Sequence, residues 1–150
     1  PEDVVLDRDD NLYTGTRHGT IVRFLAPDYA RSEVFARIGG HPLGLAFAPN
    51  GDLLTCIGGM GVYRVSPDGT VAKVTDETNR SLLSVIDDSR LRLPDDLDIA
   101  PDGRIFFSEA TIRYEMSEWA VDALEGRGNG RLICHDPRTG STRTILRGLI

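Results

Sequence analysis

The chain has 150 residues, 40% of them hydrophobic and 27% charged, and carries a net charge of -6. That is length enough for one domain with a core, and the acidic balance argues against nucleic acid as the main partner, because phosphate binding needs clustered Lys and Arg. No apolar run approaches the roughly 18 residues of a membrane-spanning helix, and no secretory leader is visible. The chain begins at Pro1 rather than Met, which leaves a processed or omitted N-terminus open.

In chain order, the first unit reads as strands over 2–6, 12–15, 21–25 and 33–36, and the second as strands over 43–48, 53–57, 62–65 and 71–74. A polar link over 76–93 is expected to cross one face as a loop. The third unit reads as strands over 97–100, 105–108, 131–135 and 142–146. Each unit follows one scheme: an Asp/Asn/Gly turn, a strand, a short link, a Gly and another strand. Anchored on Asn11, Asp52 and Arg104, the units recur after 41 and then 52 residues. Four short strands at a spacing of about 40 to 50 residues are the mark of a β-propeller blade. The fold class is therefore all-β, a partial propeller with blades at about 1–40, 41–80 and 90–150. The longer third unit carries an insert from Ile112 to Leu124. Its Ser117, Glu118, Trp119, Val121 and Leu124 read as a short amphipathic helix. Trp119 is expected to pack this insert onto the blade, or, with Tyr114, to wall a substrate cavity. Closed propellers use roughly four to eight blades. Three therefore suggest part of a longer protein rather than blades shared with another chain.

Asp95 and Asp96 stand where the first strand of the third unit is expected to begin. Adjacent carboxylates repel, so a cation or paired donors would explain both. The alternative is one Asp facing water and the other capping a turn. Cys56 and Cys134 are too few for a disulfide framework and match no zinc spacing. Both lie in apolar runs and read as buried free thiols, compatible with a reducing cytoplasm while leaving the compartment open. His18 reads as a solvated turn residue, His135 as packing, and Asp87-Asp88 as a solvated loop face. Gly58-Gly59-Met60-Gly61 reads as a turn. No G-x-S-x-G elbow is present.

The run Leu93-Pro94-Asp95-Asp96-Leu97-Asp98, followed by Asp102-Gly103-Arg104-Ile105-Phe106-Phe107-Ser108-Glu109-Ala110, resembles the "P-N-D-L…DG…YFTDA" signature of the calcium-dependent six-bladed propellers. That superfamily includes gluconolactonases, senescence marker protein, paraoxonases and strictosidine synthases. The run from Leu124 to Leu132, ending His135-Asp136-Pro137, is similar to the strictosidine synthase-like branch in particular. Pro1-Glu2-Asp3-Val4 is similar to the family's opening blade, and Pro42-Leu43-Gly44-Leu45-Ala46-Phe47 to its "RPLGL" strand.

The resemblance implies six blades in the full protein and a Ca2+ ion, or another divalent cation, in the central channel. Glu2 matches the family's Glu ligand and Asp95 its first Asn ligand. The remaining ligands and the catalytic base are expected beyond Ile150, so no catalytic residue is named. An Asp in place of Asn should tighten cation binding and reduce the ion's Lewis acidity, since calcium accepts both oxygens. Ser108-Glu109 also stands where the family has Thr-Asp. Asp96, Glu109, Tyr114 and His41 are the candidates for orienting ligands or lining a small-molecule site. The leading expectation is a metal-dependent hydrolase of a lactone or ester. The alternatives are a strictosidine synthase-like enzyme condensing an amine with an aldehyde without metal, or a non-catalytic binding propeller.

Overall fold

The computed structural model describes residues 1–150 as twelve strands and one short helical insert. The strands form three separate four-stranded antiparallel sheets, each a meander. The first holds β1 (Val4–Leu6), β2 (Leu12–Gly15), β3 (Thr20–Phe24) and β4 (Ser32–Arg37). The second holds β5 (His41–Phe47), β6 (Leu53–Gly58), β7 (Gly61–Val65) and β8 (Val71–Thr75). The third holds β9 (Pro94–Ile99), β10 (Ile105–Glu109), β11 (Gly130–Asp136) and β12 (Ser141–Leu149). The first strands of the sheets succeed one another, β1 against β5 and β5 against β9, as around a propeller hub.

Alternation along the strands builds the core. Successive side chains of a strand point to opposite faces. Leu53 therefore enters a cluster with Tyr13, Ile21, Ala36, Leu45 and Val65 between the first two sheets. Leu54 and Cys56 enter another with Leu97, Ile105, Phe107 and Ile133 between the second and third. The middle sheet is thus covered on both faces, and every residue of β6 is buried. Close approach requires glycine at the seams. A Cβ on Gly44 would stand 2.6 Å from Asp96 Cα and 2.8 Å from the Asp95 carbonyl oxygen.

Three sequence expectations change. First, β9 begins at Pro94, so Asp95 and Asp96 lie inside the strand. Leu97 pairs with Phe107 and Pro94 with Glu109, so Asp95 and Asp96 together oppose Ser108 in a β-bulge. Second, the 76–93 link is not simply a solvated loop. Its neck is tied by the Glu77–Arg90 bridge, Leu91 enters the core, and Asp88 is 1% exposed. Third, Trp119 is 59% exposed and does not pack the insert onto the blade. The insert is a 3-10 turn, Met116–Glu118, leading into α1 (Trp119–Glu125), with no buried residue in either. A polar anchor replaces the expected apolar one: Asp122 Oδ1 accepts from Thr111 Oγ1 at 2.8 Å and from Asn129 Nδ2 at 2.7 Å. Both cysteines are buried and free. No helix is long and apolar enough to cross a membrane.

Candidate active site at the hub

The register makes three positions equivalent. Val4 pairs with Thr14, Leu45 with Thr55 and Leu97 with Phe107, in each case the third residue of the second strand. Two positions before each stand Glu2, Leu43 and Asp95; one position before stand Asp3, Gly44 and Asp96. The carboxylates therefore fall just before β1 of the first sheet and within β9 of the third, with Leu43 of β5 at the same position of the second.

Glu2 and Asp95 lie 93 residues apart in sequence but at equivalent register positions of the first and third sheets. Asp95 keeps contact with solvent, yet its pKa lies above the usual Asp value. Partial desolvation is the largest cause, followed by the charges of Asp96 and Glu2. No Lys or Arg forms an ion pair with Glu2, Asp95 or Asp96. Uncompensated carboxylates of this kind fit a hard cation, which takes oxygen ligands and discharges their repulsion. No group of three or more His, Cys, Asp or Glu side chains converges to hold an ion within this chain, so Glu2 and Asp95 would be a partial ligand set.

Asp3, which the sequence did not single out, shows what the neighbouring position does. Its Oδ1 accepts from Val4 N at 2.7 Å, and its Oδ2 accepts from Leu45 N at 2.8 Å, joining the first sheet to the second. Asp96 repeats half of this pattern, its Oδ1 accepting from Leu97 N at 2.8 Å. Ser108 Oγ accepts from Asp96 N at 3.2 Å across the bulge.

The other candidates separate. Glu109 is 1% exposed, so it lines no substrate space. It pairs with the fully buried Arg131, and its Oε1 accepts from Arg92 N at 2.5 Å and Leu93 N at 3.4 Å. Burial pushes the Glu109 carboxyl up, and the Arg131 guanidinium pulls it only part of the way back. Arg131 also donates to the backbone oxygens of Asp88 and Arg90, and Asp88 pairs in turn with Arg147. Tyr114 lies in the insert, where the nearby Glu125 carboxylate raises its pKa. His41 opens β5 opposite Gly58, half-buried. His135 is buried, its Nδ1 2.9 Å from Thr142 Oγ1. Arg131 was legible in principle: alternation places it on the inward face with Ile133, directly opposite Glu109.

Comparison with known proteins agrees with this architecture. Residues 95–150 match the strictosidine synthase family profile, and residues 1–24 match the profile of the strictosidine synthase-like N-terminal region. Strictosidine synthase-like protein 4 of Arabidopsis thaliana is 32% identical over 154 residues, covering 99% of this chain and 40% of that protein. The fold superposes on a crystal structure assigned by family as a gluconolactonase with a TM-score of 0.66 at 18% identity, over 97% of this chain and 48% of the other. It superposes on a gluconolactonase from Xanthomonas campestris with a TM-score of 0.63 at 15% identity, over 93% of this chain and 44% of the other. The chain therefore has the fold of a partial β-propeller, the architecture it shares with these two structures. In sequence it matches the strictosidine synthase-like proteins over nearly its whole length, and it spans about two fifths of the length of the curated relatives it matches.

Proposed function

We propose that this chain supplies one arc of the metal-binding hub of a hydrolase acting on a lactone or ester. The observation that carries the reading is that Glu2, just before β1, and Asp95, in β9, hold equivalent register positions at the inner edges of two sheets, with no basic side chain paired to either. The likeness to calcium-dependent propellers supports oxygen ligation of Ca2+ or a similar ion, with Glu2 and Asp95 among the ligands. A cation there would polarise the substrate carbonyl and stabilise the developing oxyanion. The chain's own contribution is a pair of hard-oxygen donors held in mutual repulsion. The test is a calcium titration of the full-length protein, following thermal stability and turnover of small lactones and aryl esters. Chelation should lower both, and Glu2→Gln or Asp95→Ala should weaken the calcium response. If neither stability nor turnover responds to chelation, the reading fails.

A second reading is favoured by the strictosidine synthase profile match over 95–150: condensation of an amine with an aldehyde. Product formation from such a pair in the presence of chelator, with no ester turnover, would establish it instead.

A further inference from the structure

We propose that Glu109 is a positioning residue for the hub: gripped by Arg131, it fixes the backbone at Arg92 and Leu93 and thereby sets where β9 presents Asp95. The bulge at Asp95-Asp96 interrupts the β9–β10 ladder, so this stretch lacks the regular pairing that would hold it. The fixation comes from just upstream. Glu109 Oε1 accepts from the N–H groups of Arg92 and Leu93, and Ala110 N donates to the Leu93 carbonyl at 2.9 Å. Pro94 then restricts the one remaining step to Asp95 through its fixed φ. The other carboxylate oxygen of Glu109 is taken by Arg131 Nε. The guanidinium is immobilised in turn by the Asp88 and Arg90 carbonyls.

The device is peculiar to the third sheet. Four residues after the start of the second strand stand Thr16 and Ile57 in the first two sheets and Glu109 in the third. The residues that face these three on the neighbouring strand are Thr20, Gly61 and then Arg131. A requirement shared by all blades would put an acid and a base in each. The pair instead occurs in the sheet that carries Asp95.

The role at the hub rests on the hydrolase reading; the control of β9 does not, and the experiment separates them. In the full-length protein, two double variants remove the buried charges alike. Glu109→Gln with Arg131→Met keeps an acceptor for Arg92 and Leu93, whereas Glu109→Leu with Arg131→Met does not. Amide exchange at Arg92, Leu93, Asp95, Asp96 and Leu97 should quicken modestly in the first, which loses the Arg131 grip but keeps an acceptor, and about tenfold or more beyond that in the second, which has lost the buried acceptor as well. Calcium affinity should follow the same order. Glu109→Asp, which keeps the charge but withdraws the acceptor by one methylene, should also quicken exchange at these amides. It serves if the Leu/Met variant does not fold. Equal exchange in the two double variants, or wild-type exchange in Glu109→Asp, would overturn the proposal. Exchange that changes as expected in a protein that binds no calcium would keep the positioning role and discard the metal.

Discussion

At the residue scale, the decisive feature is a carboxylate held against its preference. Asp95 has its pKa raised by partial desolvation and by Asp96 and Glu2. For a carboxylate the sign then runs opposite to that of a salt-bridged Asp. Between the unfolded and the folded pKa the native state binds more protons than the unfolded one, so stability falls as pH rises through that window. Above it, Asp95 is a fixed destabilising charge unless a cation discharges it. Asp95→Asn is therefore expected to raise the stability of the chelator-treated protein at pH 7 and to weaken calcium binding. The gain should vanish below the ordinary Asp pKa. Urea midpoints between pH 3 and 7, with and without chelator, check this. A variant less stable than wild type at pH 7 in chelator would show that the charge is compensated within the protein.

At the element scale, the seams between sheets set how near the hub strands can come. Gly44 has no room for a side chain, because a Cβ would meet the backbone of Asp95 and Asp96 rather than a flexible tip. Backbone cannot swing aside, so Gly44→Ala should displace β9 from β5 and destabilise by about 1–3 kcal/mol, in the range of overpacked cores. Chemical denaturation gives the stability, and calcium affinity should fall with it if Asp95 is a ligand. All twelve strands could be read from the sequence because period-2 alternation and Asp/Asn/Gly turns are local signals. The three-sheet architecture follows from their recurrence. The 76–93 link was misread for the opposite reason. Asp88 looks solvated among Asp87, Ser89 and Arg90, and its burial is decided by Arg131, 43 residues further on. Trp119 failed similarly: seven helical residues bury nothing when a single Asp122 can tie the insert to Thr111 and Asn129. Of the candidate site, Glu2 and Asp95 were legible through the resemblance. Asp3 was not, since its inter-sheet bond to Leu45 has no local signature.

At the scale of the whole molecule, the same alternation that buries the middle sheet leaves an apolar face on each outer one. In the first sheet Val5 faces the core, so its neighbours Val4 and Leu6 point away and are 55% and 53% exposed. Val4, Thr14, Val22 and Val34 form one cross-strand row on that outer face. In the third sheet Ile133 faces the core, while Leu132 and its partner Leu146 share the outer face, Leu146 being 51% exposed. Internal sheet faces of the same kind pack on one another here, and contiguous exposed apolar surface drives association. The 150 residues, expressed alone, are therefore expected to associate through these faces. Light scattering after size exclusion should show mass above the 16.4 kDa monomer. Leu6→Lys with Val34→Lys should reduce that mass without changing the circular dichroism of the strands, because both positions are exposed in the folded chain. A monomer before substitution would mean that the outer faces are less sticky than the seams they resemble. The physical distinction would then lie in the seams' interlocking shape, of the kind seen where Gly44 admits β9, rather than in apolar area alone.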